Sequence, residues 1–294
     1  MNTSQVGNRL QSRRLSEVLG GELTTPVDLG NLSDELMAQI EDELYRHQVL
    51  VIPDQDLEPA QFVAFARRLG RPEPHMIKQH RHPEHPEILI LSNVKRNGVP
   101  IGLADGGSHW HTDYAFLEVP AKATMLHSLQ VPKVGGNTLF ANMYMAYEGL
   151  SASMKRDLEG LKILHGYGSR PSRDVDARAL AAIKSAPSIE NIQSAVHPLV
   201  CEHPVTRRKV LYAPVGTAFK VIGMPEDESD DLLDELKLHA TQTAYQFSLP
   251  YSVGDVVIWD NPSLLHTATL IDPDDARTLR RITVMMDAGN PWRT

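Results

Sequence analysis

A mainly β fold, with a jelly-roll-like core of two sheets and helices packed outside it, is what the 294-residue sequence predicts. Three observations carry the expectation. About nine short strand-like runs are spread along the chain. Helical patterns fall between some of them without regular alternation, which argues against a doubly wound parallel sheet. No internal repeat, low-complexity tract or evident linker divides the sequence, so residues 1–294 are expected to form one domain.

In chain order, residues 1–15 are polar and are expected to fray. Ser33 can cap a helix over 34–47, with Leu36, Ile40 and Leu44 spaced four apart. Val49–Ile52, ended by Pro53, reads as a buried strand. Pro59 suits the first turn of a helix on which Phe62, Phe65, Ala66 and Leu69 share one face, and Gly70 stops it. The Pro- and His-rich segment 71–86 reads as loop. Strand-like runs follow at 87–91, 123–131 and 137–143, the last two joined by a turn at Gly135-Gly136-Asn137. A helix is expected over 151–161, with Met154, Leu158 and Leu161 inward. Residues 168–195 are polar and read as an insertion or lid. A strand at 209–213 and an acidic helix at 226–242, with Leu232, Leu233 and Leu236 as its core face, come next. Strands at 245–249, 255–260 and 280–287 close the chain.

Composition excludes several classes. Net charge is −8, and basic residues occur only in short pieces such as Arg207-Arg208-Lys209, too little positive surface for a nucleic-acid binder. No apolar run of about 18 residues exists, so no membrane span is expected. The opening MNTSQVGNRLQSRRL lacks the apolar stretch of a signal peptide, which points to a cytoplasmic protein. Cys201 is the single cysteine, so an intrachain disulfide and a thiolate zinc cluster are both ruled out. Any metal must be held by His and carboxylate.

The segment GSHWHTDYAF (107–116) supplies such ligands. On an extended strand His109, His111 and Asp113 share one face. In one reading His111 and Asp113 join His266, which follows the strand signal VVIWD, in a facial set of two imidazoles and one carboxylate that suits Fe(II). In a second, HxHxD opens a dinuclear zinc hydrolase loop, but that motif wants histidine where Tyr114 stands. In a third the cluster is structural, in a non-catalytic ligand-binding barrel. An Fe(II) oxygenase that takes electrons from 2-oxoglutarate also needs a buried cation for the cosubstrate's far carboxylate, best an arginine. Alternation along Arg280-Arg281-Ile282-Thr283-Val284 puts Arg281, Thr283 and Met285 on one face and Arg280, Ile282 and Val284 on the other.

Five segments then carry a resemblance: HQVLVIPDQDLEPAQFVAFARRLG (47–70), HWHTDYAF (109–116), VPKVGGNTLFANMYMAYEGL (131–150), HPLVCEHPVTRRKVLY (197–212) and VIWDNPSLLHTAT (257–269). In this order and spacing the chain resembles the taurine dioxygenase and 2,4-dichlorophenoxyacetate dioxygenase family of Fe(II)/2-oxoglutarate-dependent oxygenases. The resemblance implies a double-stranded β-helix core, with Fe(II), 2-oxoglutarate and dioxygen as cofactor and cosubstrates. It implies hydroxylation of a small molecule with release of succinate and CO2, with bond cleavage where the hydroxylated carbon bears a heteroatom. It also implies a homo-oligomer.

The resemblance places the metal triad on His111, Asp113 and His266, and cosubstrate binding on Thr138 and Arg281. The interval from His266 to Arg281 is longer than the family's, which keeps Arg277 and Arg280 as alternatives. Substrate contacts fall on His75 and Tyr114. The family's taurine-type members carry a second arginine four residues beyond the first. Counted from Arg281 that position is Met285, which points away from taurine and leaves His75 and Lys78 as replacement polar groups. With Phe116 beside them, Tyr114 and Met285 suggest a small carboxylic acid with an apolar part.

Overall fold

In a computed structural model, residues 9–104, 106–167, 193–289 and 292 are described. The larger sheet runs, edge to edge, through Ser12–Arg14, Gly21–Leu23, Val49–Ile52, Val256–Asp260, Ala121–Gln130, Thr278–Met285 and Arg71–Pro72. Leu89–Ser92 also pairs with Thr278–Met285. A smaller sheet faces it, ordered Gln246–Leu249, Thr138–Asn142, Leu264–Ala268. The jelly-roll-like core predicted from the sequence is therefore present.

Side-chain alternation assigns the faces. Met125, Ile258, Ile282 and Val284 point outward and are covered by the helices Asp34–His47 and Pro59–Leu69, through Ile40, Leu44, Phe62 and Phe65. Leu126, Val257 and Trp259 point inward and meet Phe140, Leu249 and Leu264 of the smaller sheet. Both helices start as the sequence predicts. Ser33 Oγ accepts from Leu36 N–H, and Glu58 with Gln61 forms a capping box ahead of Pro59.

A third cluster packs Met143–Glu148, Ala152–Leu158 and Glu226–Ala240 against Lys162–Gly166, Ser194–Pro198, Val200–Glu202, Lys209–Leu211 and Ala218–Val221. This is where local expectation and structure differ most. The strand expected over 137–143 ends at Asn142, whose side chain accepts from Tyr144 and Met145 N–H and starts a helix. Four of the strands here are short and carry no strong alternation. Residues 12–14, expected to fray, pair with Gly21–Leu23. Of the expected lid, residues 168–192 lie outside the described residues, and 194–195 begin a strand. Among the described residues no helix is long and apolar enough to cross a membrane.

Candidate active site

His266 sits at the centre of Leu264–Ala268, and the chain at His111 lies alongside it. His111 N–H donates to His266 O at 3.0 Å and His266 N–H to His111 O at 2.8 Å, so the imidazoles are cross-strand neighbours with ring centroids 4.2 Å apart. Asp113 completes the cluster: Oδ1 is 3.5 Å from His111 Nε2, and Oδ2 is 3.7 Å from His266 Nε2. Among the described residues this is the one group of His, Cys and acidic side chains whose ligand atoms all lie within 4.8 Å. Gly216 allows the arrangement. Its φ is +74°, and a Cβ there would stand 2.8 Å from both His111 Cβ and Trp110 O.

The donor set fits a metal. His111 Nδ1 lies 2.7 Å from the His109 carbonyl, which only accepts, so Nδ1 carries a proton and Nε2, toward Asp113, is the nitrogen placed to bind a metal. Burial pushes the Asp113 carboxyl up, but Arg281, His266 and His111 outweigh it and hold it well below the ordinary carboxylate range. Burial, then His111, holds His266 well below its ordinary value. An ionised carboxylate beside the neutral His266 imidazole suits metal binding. Two imidazoles and a carboxylate suit Fe(II).

The three arginines have different surroundings. Arg281 does lie on the same face as Thr283 and Met285, as alternation predicts, but its Nη2 is 2.6 Å from Asp113 Oδ1. Arg280 turns the other way and donates to Leu57 O at 2.7 Å. Arg277 and Thr138 both meet Tyr251. The Thr138 hydroxyl is 2.6 Å from the Tyr251 hydroxyl, and the Arg277 guanidinium lies over the Tyr251 ring, 5.8 Å from its centroid. Arg277 is 7 % exposed, and its Nε has no protein partner. The reason is the strand itself. Arg277 precedes Thr278–Met285 and is tied by its N–H to Asn93 Oδ1, with a register shift just after it, so it escapes the strand's alternation. Thr138 pairs with Ala268, two residues from His266, which puts this polar group beside the triad.

Tyr114, Phe116, Ala121 and Met285 form a buried wall, with Met76 and Tyr167 against it. Tyr114 has φ +53° and a buried hydroxyl with no protein partner. Its ring centroid is 6.2 Å from that of His75. His75 Nδ1 accepts from Ile77 N–H at 3.2 Å, so its Nε2 carries the proton. Lys78 is exposed, on the short 3-10 turn Lys78–His80, and joins none of the contacts that build the site among the described residues. His109 stacks on His111 with centroids 4.9 Å apart. Sequence reasoning missed Tyr251, Thr124 and Asn261. Only the position of Asn261 in the WDN run, immediately ahead of the His266 strand, marked any of them.

Burial depresses several imidazoles. His75 is pulled down to about 3 by burial and then Arg281, His109 to about 3 by burial and then His111, and His165 to about 3 by burial and then His197. An unfolded histidine titrates near 6.5, so below that pH the unfolded chain binds protons that the folded protein refuses. Stability is therefore expected to fall steadily from about pH 6.5 toward pH 3. Denaturant midpoints across that range check it, and a flat profile would contradict the buried neutral histidines.

Residues 11–283 match the family described as "Taurine catabolism dioxygenase TauD, TfdA family". The alpha-ketoglutarate-dependent 2,4-dichlorophenoxyacetate dioxygenase of Burkholderia sp. (strain RASC) is 32% identical over 289 residues, covering 94% of each chain. Pentalenolactone F synthase of Streptomyces arenae is 30% identical over 273 residues, covering 90% of this chain and 91% of the relative. The crystal structure of AAD-2 in complex with Mn(II) and N-oxalylglycine superposes with a TM-score of 0.77 at 28% identity, covering 95% of this chain and 98% of that one. With its triad, its β core and a match along nearly the whole sequence, this chain belongs to the TauD, TfdA family of dioxygenases.

Proposed function

We propose that this enzyme hydroxylates a C–H bond of a small carboxylic acid with an apolar part, the acid held by Arg281 beside the wall of Tyr114, Phe116 and Met285. The reaction class follows from the family: an oxidoreductase that uses Fe(II), 2-oxoglutarate and dioxygen. Bound iron supplies the oxidising chemistry, in which 2-oxoglutarate becomes succinate and CO2, one oxygen atom entering succinate and the other the substrate. Where the hydroxylated carbon bears an ether oxygen, the product collapses and the bond breaks.

The observation that supports the reading best is a pair of arginines with different surroundings, Arg281 against Asp113 and Arg277 over the Tyr251 ring whose hydroxyl meets Thr138. His111, Asp113 and His266 hold the iron. Arg277 and Thr138, with Tyr251 orienting the threonine, hold the far carboxylate of 2-oxoglutarate; the unpartnered Arg277 Nε is a donor folded into the interior ahead of its acceptor. With Arg277 as the first arginine, the family's second one, four residues on, is Arg281 rather than Met285. The anion anchor expected to be missing is then present, and Met285 belongs to the apolar wall. His75 Nε2–H and the Tyr114 hydroxyl add two neutral donors, which favours a carboxylate flanked by hydrocarbon over a compact, strongly hydrated anion. The 2,4-dichlorophenoxyacetate named for one relative is an acid of this shape.

Substrate-stimulated succinate release with Fe(II) and 2-oxoglutarate, across aryloxy, alicyclic and amino-substituted acids, tests the reading. Aromatic or alicyclic carboxylates are expected to stimulate release above the uncoupled rate. Equal stimulation by their uncharged amides, or by taurine, would overturn it.

A further inference from the structure

The carboxylate of Asp113 is held by a hydrogen-bonded chain whose direction is fixed at both ends. Thr124 lies on an interior strand of the larger sheet, with Trp259 as its cross-strand partner on one side and Thr283 on the other. The Trp259 indole N–H can only donate, and it lies 3.1 Å from Asn261 Oδ1. That orients the amide, so Asn261 Nδ2 donates to Thr124 Oγ1 at 3.0 Å. Thr124 Oγ1 in turn lies 2.6 Å from Asp113 Oδ2, which as a carboxylate can only accept. The single Thr124 hydroxyl hydrogen is thereby committed to Asp113, and Thr283 Oγ1, 3.1 Å from Thr124 Oγ1, must be a donor to it. Thr124 Oγ1 is saturated, with two donors received and one given. The main chain joins in, since Thr112 Oγ1 donates to Asn261 O at 2.8 Å. Thr112, Asp113, Thr124, Trp259, Asn261 and Thr283 are all buried.

We propose that Thr124 and Asn261 are positioning residues that clamp Asp113 Oδ2 and so fix the orientation of the carboxylate, whose Oδ1 faces Arg281 Nη2 at 2.6 Å and His111 Nε2 at 3.5 Å. A carboxylate free to rotate would lose the single geometry that the open face of the site needs, and hydrogen bonds of this kind, one step out from the metal, tune affinity. The proposal rests on the reading of His111, Asp113 and His266 as metal ligands.

Mn(II) binding to the metal-free protein, followed by calorimetry, tests it with six proteins: wild type, Asp113→Ala, Thr124→Val, Thr124→Ser, Asn261→Ala and the double variant Thr124→Val/Asn261→Ala. Thr124→Val keeps the shape and removes the hydroxyl, and it is expected to weaken Mn(II) binding by about 10–100-fold. Thr124→Ser is expected to restore it. Asn261→Ala should cost affinity alone but little more once Thr124 is Val, because a chain that acts as a unit is not additive. Thermal unfolding of each metal-free variant separates loss of fold from loss of positioning, and the Ser rescue distinguishes the hydroxyl from packing. Wild-type affinity in Thr124→Val, or equal loss in Val and Ser, would overturn the proposal. Wild-type affinity in Asp113→Ala would instead overturn the ligand reading beneath it.

Discussion

Replacing Arg277 by Met is expected to raise the KM for 2-oxoglutarate by roughly 30- to 4,000-fold, since truncating one partner of a buried charge pair costs about 2–5 kcal/mol and each 1.4 kcal/mol is tenfold. In the ligand-free protein the same change removes a buried cation that burial already makes less basic, and whose Nε has no acceptor. The melting temperature of the ligand-free variant should therefore hold or rise, while the stabilisation normally gained on adding 2-oxoglutarate disappears. Tyr251→Phe removes only the hydroxyl that orients Thr138 and should raise the same KM by about 3–10-fold, the size of one neutral hydrogen bond. Arg281→Met is the contrast: it should weaken the carboxylic-acid substrate more than 2-oxoglutarate. A KM for 2-oxoglutarate that moves with Arg281 and ignores Arg277 would return the far carboxylate to Arg281.

These arginines show where the sequence stops being legible. Alternation along a strand is a strong rule, and it correctly put Arg281, Thr283 and Met285 on the face of the site. It says nothing about Arg277, one residue outside the strand, where a register shift breaks the period. The triad was legible because its ligands are chemically distinctive and two of them share HxD. The helices at 34–47 and 59–69 were legible because capping, period and stop signals agree. Of the strands around 162–221, Lys209–Leu211 was legible, and the other four were not, since each is only three to five residues long and lies in polar or mixed sequence. Thr124, Asn261 and Tyr251 are ordinary strand and loop residues in sequence. Only the cross-strand register that sets Thr124 between Trp259 and Thr283, and the Tyr251–Thr138 contact, bring them to the site.

Asp113→Ala carries the largest expected loss. It removes a metal ligand, and turnover with Fe(II) should fall by at least about 10³-fold, a transition-state loss of roughly 4 kcal/mol. It also strands Arg281, whose side chain is 15 % exposed and whose Nη2 is paired with Asp113 at 2.6 Å. Breaking a buried pair on one side costs about 3–5 kcal/mol, so the metal-free variant should also be less stable than wild type. His111→Ala separates the two effects. It removes a ligand but no charge partner, so it should match the loss of turnover with a smaller loss of stability. Adding Arg281→Met to Asp113→Ala should recover part of the stability and none of the activity. Acid offers an independent check. With its folded pKa held low, mainly by Arg281 against burial, Asp113 stabilises the protein above about pH 4, and that contribution is lost as pH falls further. Asp113→Ala should thus flatten the wild-type stability profile at its most acidic end. Undiminished succinate release from either single variant would remove that residue from the metal and, with it, the basis for the triad.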